Sequence, residues 1–424
     1  MLFKDVIGQK STKKHLVELV QHNRLSHALL FVGKEGSGAL PLAMALAGFI
    51  CLPGGLPPSS AGGDGDNMLF DIGESFILQD KKMISSPSPP GEAGWGPDEW
   101  MIKHPSYSKV RDMVHPDIHF TYPVITKKAG TPPISTDFIQ EWREFISANA
   151  YGNVYDWLQF IGAENKQGNI TAHECNDIIR KLNLKSFESE YKVLIVWMPE
   201  YLGNEGNKLL KLIEEPPANT LFILVTENES QILPTILSRT QLVRIPALET
   251  DEITAALIER AKIPTEQARK IASVAEGNFR EALQLTQHSG EDWETLLRDW
   301  LNAILKTGPM AQVRWVEEIS KLGRERQKQF LRYCNHLLEQ AIKLRIIRES
   351  NAPDQQVFSM PDNEKDFATR LNQIADISQQ KAIVEELDKA SYYIERNANA
   401  KMLFHALTIK LYHIIANRRL IQIT

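Results

Sequence analysis

Cysteine is scarce in this chain: its 424 residues hold three, Cys51, Cys175 and Cys334. They are too few and too scattered for a disulfide framework, and they point to a reducing compartment, expected to be the cytoplasm. Long apolar runs are missing as well. Nothing approaches the roughly 18 residues of an ordinary spanning helix, so no membrane association is expected. The opening residues, MLFKDVIGQK, carry charge where a secretory leader needs an apolar stretch. Nor is there an excess of positive charge. Lys plus Arg number 48 against 53 Asp plus Glu, a net −5, with a pI near 6.2. That argues against a protein that coats DNA or a membrane by bulk charge, but not against a local basic patch. What remains is an ordinary globular composition, 43% apolar and 24% charged, in a chain long enough for about three domains.

Glycine and proline are unevenly spread. Residues 52–106 hold 9 of the 24 Gly and 8 of the 22 Pro, with no helical or strand period, which predicts a long loop inserted in a domain. A second polar break lies at Glu349–Asp354. Before residue 246, helical patterns alternate with the buried strands His27–Val32, Val193–Val196 and Leu221–Val225. Continuous apolar strands of this kind predict a parallel sheet covered on both faces. Thr171 and Glu174 have the spacing of a capping box that opens a helix through Ile178 and Leu182. From Asp251 to Arg419 the pattern is mainly helical.

The first strand runs into a glycine loop, Gly33-Lys34-Glu35-Gly36-Ser37-Gly38-Ala39-Leu40. A phosphate-cradling P-loop has the form G-x-x-x-x-G-K-[ST]. Gly33 and Gly38 keep that spacing, with Gly36 between them, so the backbone could still wrap a phosphate. The chemistry is absent, however. Ala39 stands at the lysine position and Leu40 at the hydroxyl position. After Val193–Val196, where a phosphoryl-transfer enzyme places metal-binding and water-orienting acids, stand Trp197 and Met198. Glu200 comes too late, beyond Pro199.

Other segments carry a family resemblance. Asn207 to Pro217, NKLLKLIEEPP, closely resembles the NALLKxLEEPP stretch of bacterial DNA polymerase III clamp-loader subunits. Leu233 to Thr240, LPTILSRT, is similar to their LPTIxSRC motif, with Thr240 in place of Cys. Phe3 to Gln9, Arg24 to Gly33 and the sensor 2-like Gly277 to Leu283 follow in the family's order. Ile394 to Ala400 resembles part of its helical collar. The missing chemistry is similar to that of the delta-prime type of subunit, which typically lacks a working ATP site.

The resemblance implies a AAA+ α/β core over 1–245, carrying the 52–106 insertion, then a helical lid over 246–290 and an all-α collar over 291–424. It implies no intrinsic ATPase and no cofactor, in a chain that forms part of a DNA-directed DNA polymerase holoenzyme. Its partners would be motor subunits of the tau/gamma type and a delta subunit in a hetero-oligomeric ring, with the sliding clamp and primer-template DNA reached through the complex. Arg239 would be the functional centre, a finger projecting into the neighbour's ATP site. Arg280 would be either a sensor 2 residue touching nucleotide or one with a lid-packing or salt-bridge role.

Family members often hold a structural zinc on four cysteines. Here Cys51 keeps the first place, residues 52–103 contain no cysteine, and no zinc is expected. His115-Pro116-Asp117-Ile118-His119 alternates on a strand face, but without a fourth ligand it is read as structural. Two other functions are weighed: a divergent AAA+ ATPase, and a DNA-remodelling protein acting alone. The first finds no replacement ligands. The second finds only the basic helical stretch Arg324 to Arg348, read as a solvated face.

Overall fold

In the computed structural model, the described residues are 1–22, 24–52, 96–127, 130, 132–163, 166, 168–287, 293–349, 362–395 and 398–416. Most of the expected insertion, 53–95, lies outside them, as do residues 350–361, 288–290 and Arg396 and Asn397. The chain divides into two compact units, Met1–Gln284 and Leu285–Thr424. That division falls inside the segment 246–290 expected as a lid.

The first unit is built on a parallel five-stranded sheet: β1 (Ala28–Gly33), β2 (Ile118–Thr121), β3 (Lys192–Trp197), β4 (Thr220–Thr226) and β5 (Gln241–Ile245), in the order β2-β3-β4-β1-β5. Ala28 pairs with Phe222, Leu29 with Gln241, and Val193 with both Ile118 and Leu221. The three central strands are buried on both faces, and the period of two sorts their side chains into two cores. Leu29, Phe31, Val193, Ile195, Leu221 and Ile223 face the helices Lys10–Gln21, Ala39–Cys51 and Ile139–Ala148. Leu30, Leu194, Val196, Phe222 and Leu224 face Ala172–Leu182 and Asn207–Glu214. The predicted parallel, doubly covered sheet is therefore present.

The helix Ala39–Cys51 is buried along its whole length, which explains its small residues. A Cβ at Gly48 would stand 2.6 Å from Val110 Cγ1, so glycine lets the neighbouring helix Tyr107–Arg111 approach.

Three local expectations are corrected. Within 52–106, Pro97–Lys103 is a helix, with Pro97 opening it, Asp98 and Glu99 in its first turn, and Trp100 and Met101 buried. The Thr171 hydroxyl does cap its helix by accepting from Glu174 N at 3.3 Å, but Glu174 does not close the box. Its carboxylate is buried and accepts from Thr121 Oγ1 at 2.8 Å, Ser135 N at 2.6 Å and the Ser135 hydroxyl. The buried hydroxyl and amide outcompete a solvated cap. The basic stretch of helix Arg324–Glu349 is likewise no single solvated face: Lys328 is buried, and Arg345 donates to the carbonyls of Asn372 and Ala375 at the end of helix Asp362–Ile374.

Helices alone make up the described second unit. Its core is aromatic at the centre: Trp300 stacks on Trp315 at 4.6 Å and donates Nε1–H to Thr408 Oγ1 at 2.9 Å, so its one polar atom is satisfied where it is buried.

Candidate functional site

The glycine loop connects β1 to the helix Ala39–Cys51 at the C-terminal edge of the sheet, where parallel α/β folds place ligands. Gly36 (φ +70°) and Gly38 (φ +90°) have left-handed backbones. At Gly36 a Cβ would also stand 1.9 Å from Asn278 Oδ1, so a second segment lies directly on the loop. Ala39 and Leu40, in the first helical turn, are buried in the apolar core. Trp197 ends β3 and packs on Trp142 with ring centroids 5.2 Å apart, and Met198 is buried beside it. The loop and strand end thus present hydrocarbon and indole where phosphate and metal would need charge.

Glu200 reaches this region without replacing the missing acids. Its Oε1 accepts from the Thr226 hydroxyl, from Glu227 N at 3.0 Å and from Asn228 N at 3.3 Å, tying the end of β4 to the turn after β3. Burial pushes its carboxyl up from the ordinary Glu value. The cleft left between Gly33, Gly38, Tyr151, Trp197, Met198 and Thr226 is about 30 Å³, enough for one or two water molecules. The residues present do not fit a nucleotide–metal pair.

Over the loop lies the segment Asn278–Arg280. Phe279 N donates to Gly36 O at 3.3 Å, and Phe279 stacks edge-on against Tyr151. Arg280, 1% exposed, donates from Nη1 to Glu35 Oε1 at 3.0 Å and from Nη2 to Asp156 Oδ1 at 2.6 Å. Asn278 Nδ2 reaches Glu35 Oε1 at 3.0 Å, and Asn153 Nδ2 reaches Glu35 Oε2 at 2.9 Å. The guanidinium that would face a nucleotide is thus engaged by two carboxylates of its own chain, one of them inside the glycine loop. Sequence reasoning singled out Arg280 and the glycines but missed Glu35, Asp156 and Asn153. An acid within the loop, beside two absent cationic and hydroxyl groups, was the one available signal.

Arg239 lies at a separate edge of the first unit. Pro234 opens the short helix Pro234–Leu237, and Thr240 Oγ1 closes it by donating to the carbonyls of Ile236 and Leu237 at 3.2 and 3.3 Å. Between them Arg239 donates from Nε to Glu214, the last residue of helix Asn207–Glu214, with Nη2 in ion-pair contact with the same carboxylate, and from Nη1 to Thr235 O at 2.8 Å and Ser238 Oγ at 3.2 Å. The two motifs singled out in the sequence therefore meet in space.

The His115–His119 stretch has a different task. Asp117 is buried and accepts from the amides of Phe187, Glu188 and Ser189 at 2.7, 2.8 and 2.8 Å. His115 Nδ1 faces Asp117 N at 3.3 Å. Cys51 is buried, with its thiol toward Tyr191 O at 3.6 Å. Among the described residues, no group of three His, Cys, Asp or Glu side chains is placed to hold a metal, and no helix is long and apolar enough to cross a membrane.

Residues 103–249 match the protein-family model described as DNA polymerase III, delta subunit. The DNA polymerase III subunit delta' of Bacillus subtilis (strain 168) is 25% identical over 283 residues, covering 66% of this chain and 60% of that protein. Subunit gamma of Buchnera aphidicola subsp. Acyrthosiphon pisum (strain APS) is 26% identical over 215 residues, covering 44% of this chain and 58% of that protein. Subunit tau of Bacillus subtilis (strain 168) is 28% identical over 195 residues, 45% of this chain and 34% of that protein. The chain spans about three fifths of the length of the first two relatives.

Proposed function

We propose that this chain, a relative of the clamp-loader subunits of bacterial DNA polymerase III, is a delta-prime-like member of that complex: silent at its own glycine loop and active through Arg239 at its neighbour's. The observation that carries the reading is the loop itself. It keeps the glycine spacing of a phosphate cradle, while Ala39, Leu40, Trp197 and Met198 remove the charges that phosphoryl transfer requires, and Glu35 and Arg280 close the space. Arg239 then acts in trans. A guanidinium brought to the γ-phosphate of ATP held by a motor subunit of the tau/gamma type stabilises the charge that develops in the transition state. Such fingers are worth about 10³–10⁵ in rate.

In this reading residues 1–245 are the core, 246–290 the lid and 291–424 the collar that joins the ring with the motor and delta subunits. The sliding clamp and primer-template DNA are reached through the complex, in the cytoplasm. The Bacillus subtilis relative is a delta' subunit by name, which supports this branch of the family. A divergent ATPase would need replacement ligands at the loop, but Glu35 within it is held by Arg280, Asn278 and Asn153, and Glu200 is committed to β4. The test is a nucleotide titration and turnover assay on the purified chain, followed by gel filtration with a motor subunit. We expect no turnover alone and co-elution with the motor. Turnover at ordinary ATPase rates by the isolated chain would refute the reading.

A further inference from the structure

Every nitrogen of the Arg239 guanidinium is engaged within its own chain. Nε donates to Glu214 and Nη2 makes an ion-pair contact with the same carboxylate, and Nη1 donates to Thr235 O at 2.8 Å and Ser238 Oγ at 3.2 Å. A guanidinium has five N–H groups in a fixed fork, so this arrangement leaves it little to offer a second anion. To present a paired fork to a phosphate, the guanidinium exchanges its Glu214 contacts or those of Nη1. Both partners are accessible for that exchange: the Arg239 side chain is 34% exposed and that of Glu214 43%.

We propose that Glu214 stores Arg239 in a retracted position and is the group that the phosphate on the neighbouring subunit displaces. The proposal rests on the trans-finger reading above and adds a competitor to it. Glu214 belongs to the first clamp-loader-like motif and Arg239 to the second, so the ion pair joins the two stretches in space. The free chain keeps its cation neutralised, and docking exchanges one carboxylate for a phosphate bearing more charge. Because the pair is half exposed, its worth is that of a surface ion pair, about 0.2–1 kcal/mol, or roughly a 1.4- to fivefold equilibrium effect. That is small beside the effect of the finger itself, so storage tunes how readily the site assembles and not how fast the assembled site turns over.

The experiment uses the full chain titrated into a reconstituted complex of motor and delta subunits, with ATP turnover read as plateau and as the chain concentration giving half of it. Glu214→Gln removes the charge and keeps the shape, and Glu214→Ala removes both. We expect each to lower the half-saturating concentration by about 1.4- to fivefold with an unchanged plateau. In an Arg239→Ala background, with association read by gel filtration instead of turnover, neither change should have any effect. Equal half-saturation in wild type and both Glu214 variants would overturn the storage proposal. A fall in the plateau would also overturn it, by making Glu214 a positioning residue of the engaged finger. If Arg239→Ala abolishes the stimulation while the Glu214 variants match wild type, storage alone fails. If Arg239→Ala leaves the stimulation intact, the finger reading fails and storage with it.

Discussion

Arg280→Ala perturbs the first unit at the glycine loop while leaving its sheet untouched. Arg280 is 1% exposed and bridges Glu35 and Asp156, so alanine removes a guanidinium from between two carboxylates whose own side chains are 18% and 14% exposed. Breaking a buried ion pair by deleting one partner costs about 3–5 kcal/mol, because the remaining charge is uncompensated. Here the lower end applies. Glu35 keeps its contacts from Asn153 and Asn278, and Asp156 keeps its bond from Asn153 N at 3.2 Å. A loss of about 3 kcal/mol corresponds to a fall in Tm of roughly 6–9 °C for a unit of this size. Scanning calorimetry of the full chain reads it as a shift of the first unit's transition. Arg280→Lys keeps the charge but not the fork and should fall between the two. A shift of under about 1 °C for Arg280→Ala would show that water serves both carboxylates, and that the segment Asn278–Arg280 is not tied to the glycine loop by charge.

Further outcomes follow from individual side chains. Asp117→Asn turns an amide donor toward three amide N–H groups; we expect about 2–4 kcal/mol of lost stability by urea unfolding. An unchanged midpoint would contradict the clamp on Phe187–Ser189. Burial, with Lys181 adding to it, lowers the pKa of His119 to about 4, so the folded chain refuses a proton that the unfolded chain takes below about 6.5. Its contribution is complete above pH 6.5 and is lost as pH falls toward 4, by about 3 kcal/mol in all. His119→Gln should flatten this part of the acid limb of Tm against pH. The three thiols are buried, and burial pushes Cys175 up to about 11 and raises Cys51 and Cys334 well above the ordinary thiol value. None should react rapidly with a thiol reagent at pH 8 until urea unfolds the chain; one fast thiol would contradict the packing around it.

The central strands were legible because burial on both faces leaves an unbroken apolar run, as in Leu29–Val32, Val193–Val196 and Leu221–Val225. The outer strands were harder to read. β2, Ile118–Thr121, is four residues long and includes a histidine, and β5, Gln241–Ile245, alternates because one of its faces is exposed. Helix Pro97–Lys103 was hidden by the glycine and proline around it, although its own residues carry a normal start signal. At the site, the loss of phosphate chemistry could be read from spacing alone, since a P-loop places its lysine and hydroxyl by position in the chain. What closes the loop could not. Arg280 meets Glu35 across 245 positions and Asp156 across 124, and the pairing of Arg239 with Glu214 spans 25. Such contacts depend on the path of the backbone through the fold, for which no local pattern stands in.

The central claim is that this chain works through one guanidinium at another subunit's ATP. The direct measurement is DNA- and clamp-stimulated ATP turnover by the reconstituted loader, with wild type or Arg239→Ala in the place of this chain. Assembly is checked by gel filtration in both cases. A finger in trans predicts normal assembly with turnover lowered by about 10³-fold at the site it serves. An unchanged rate in a fully assembled complex would contradict it.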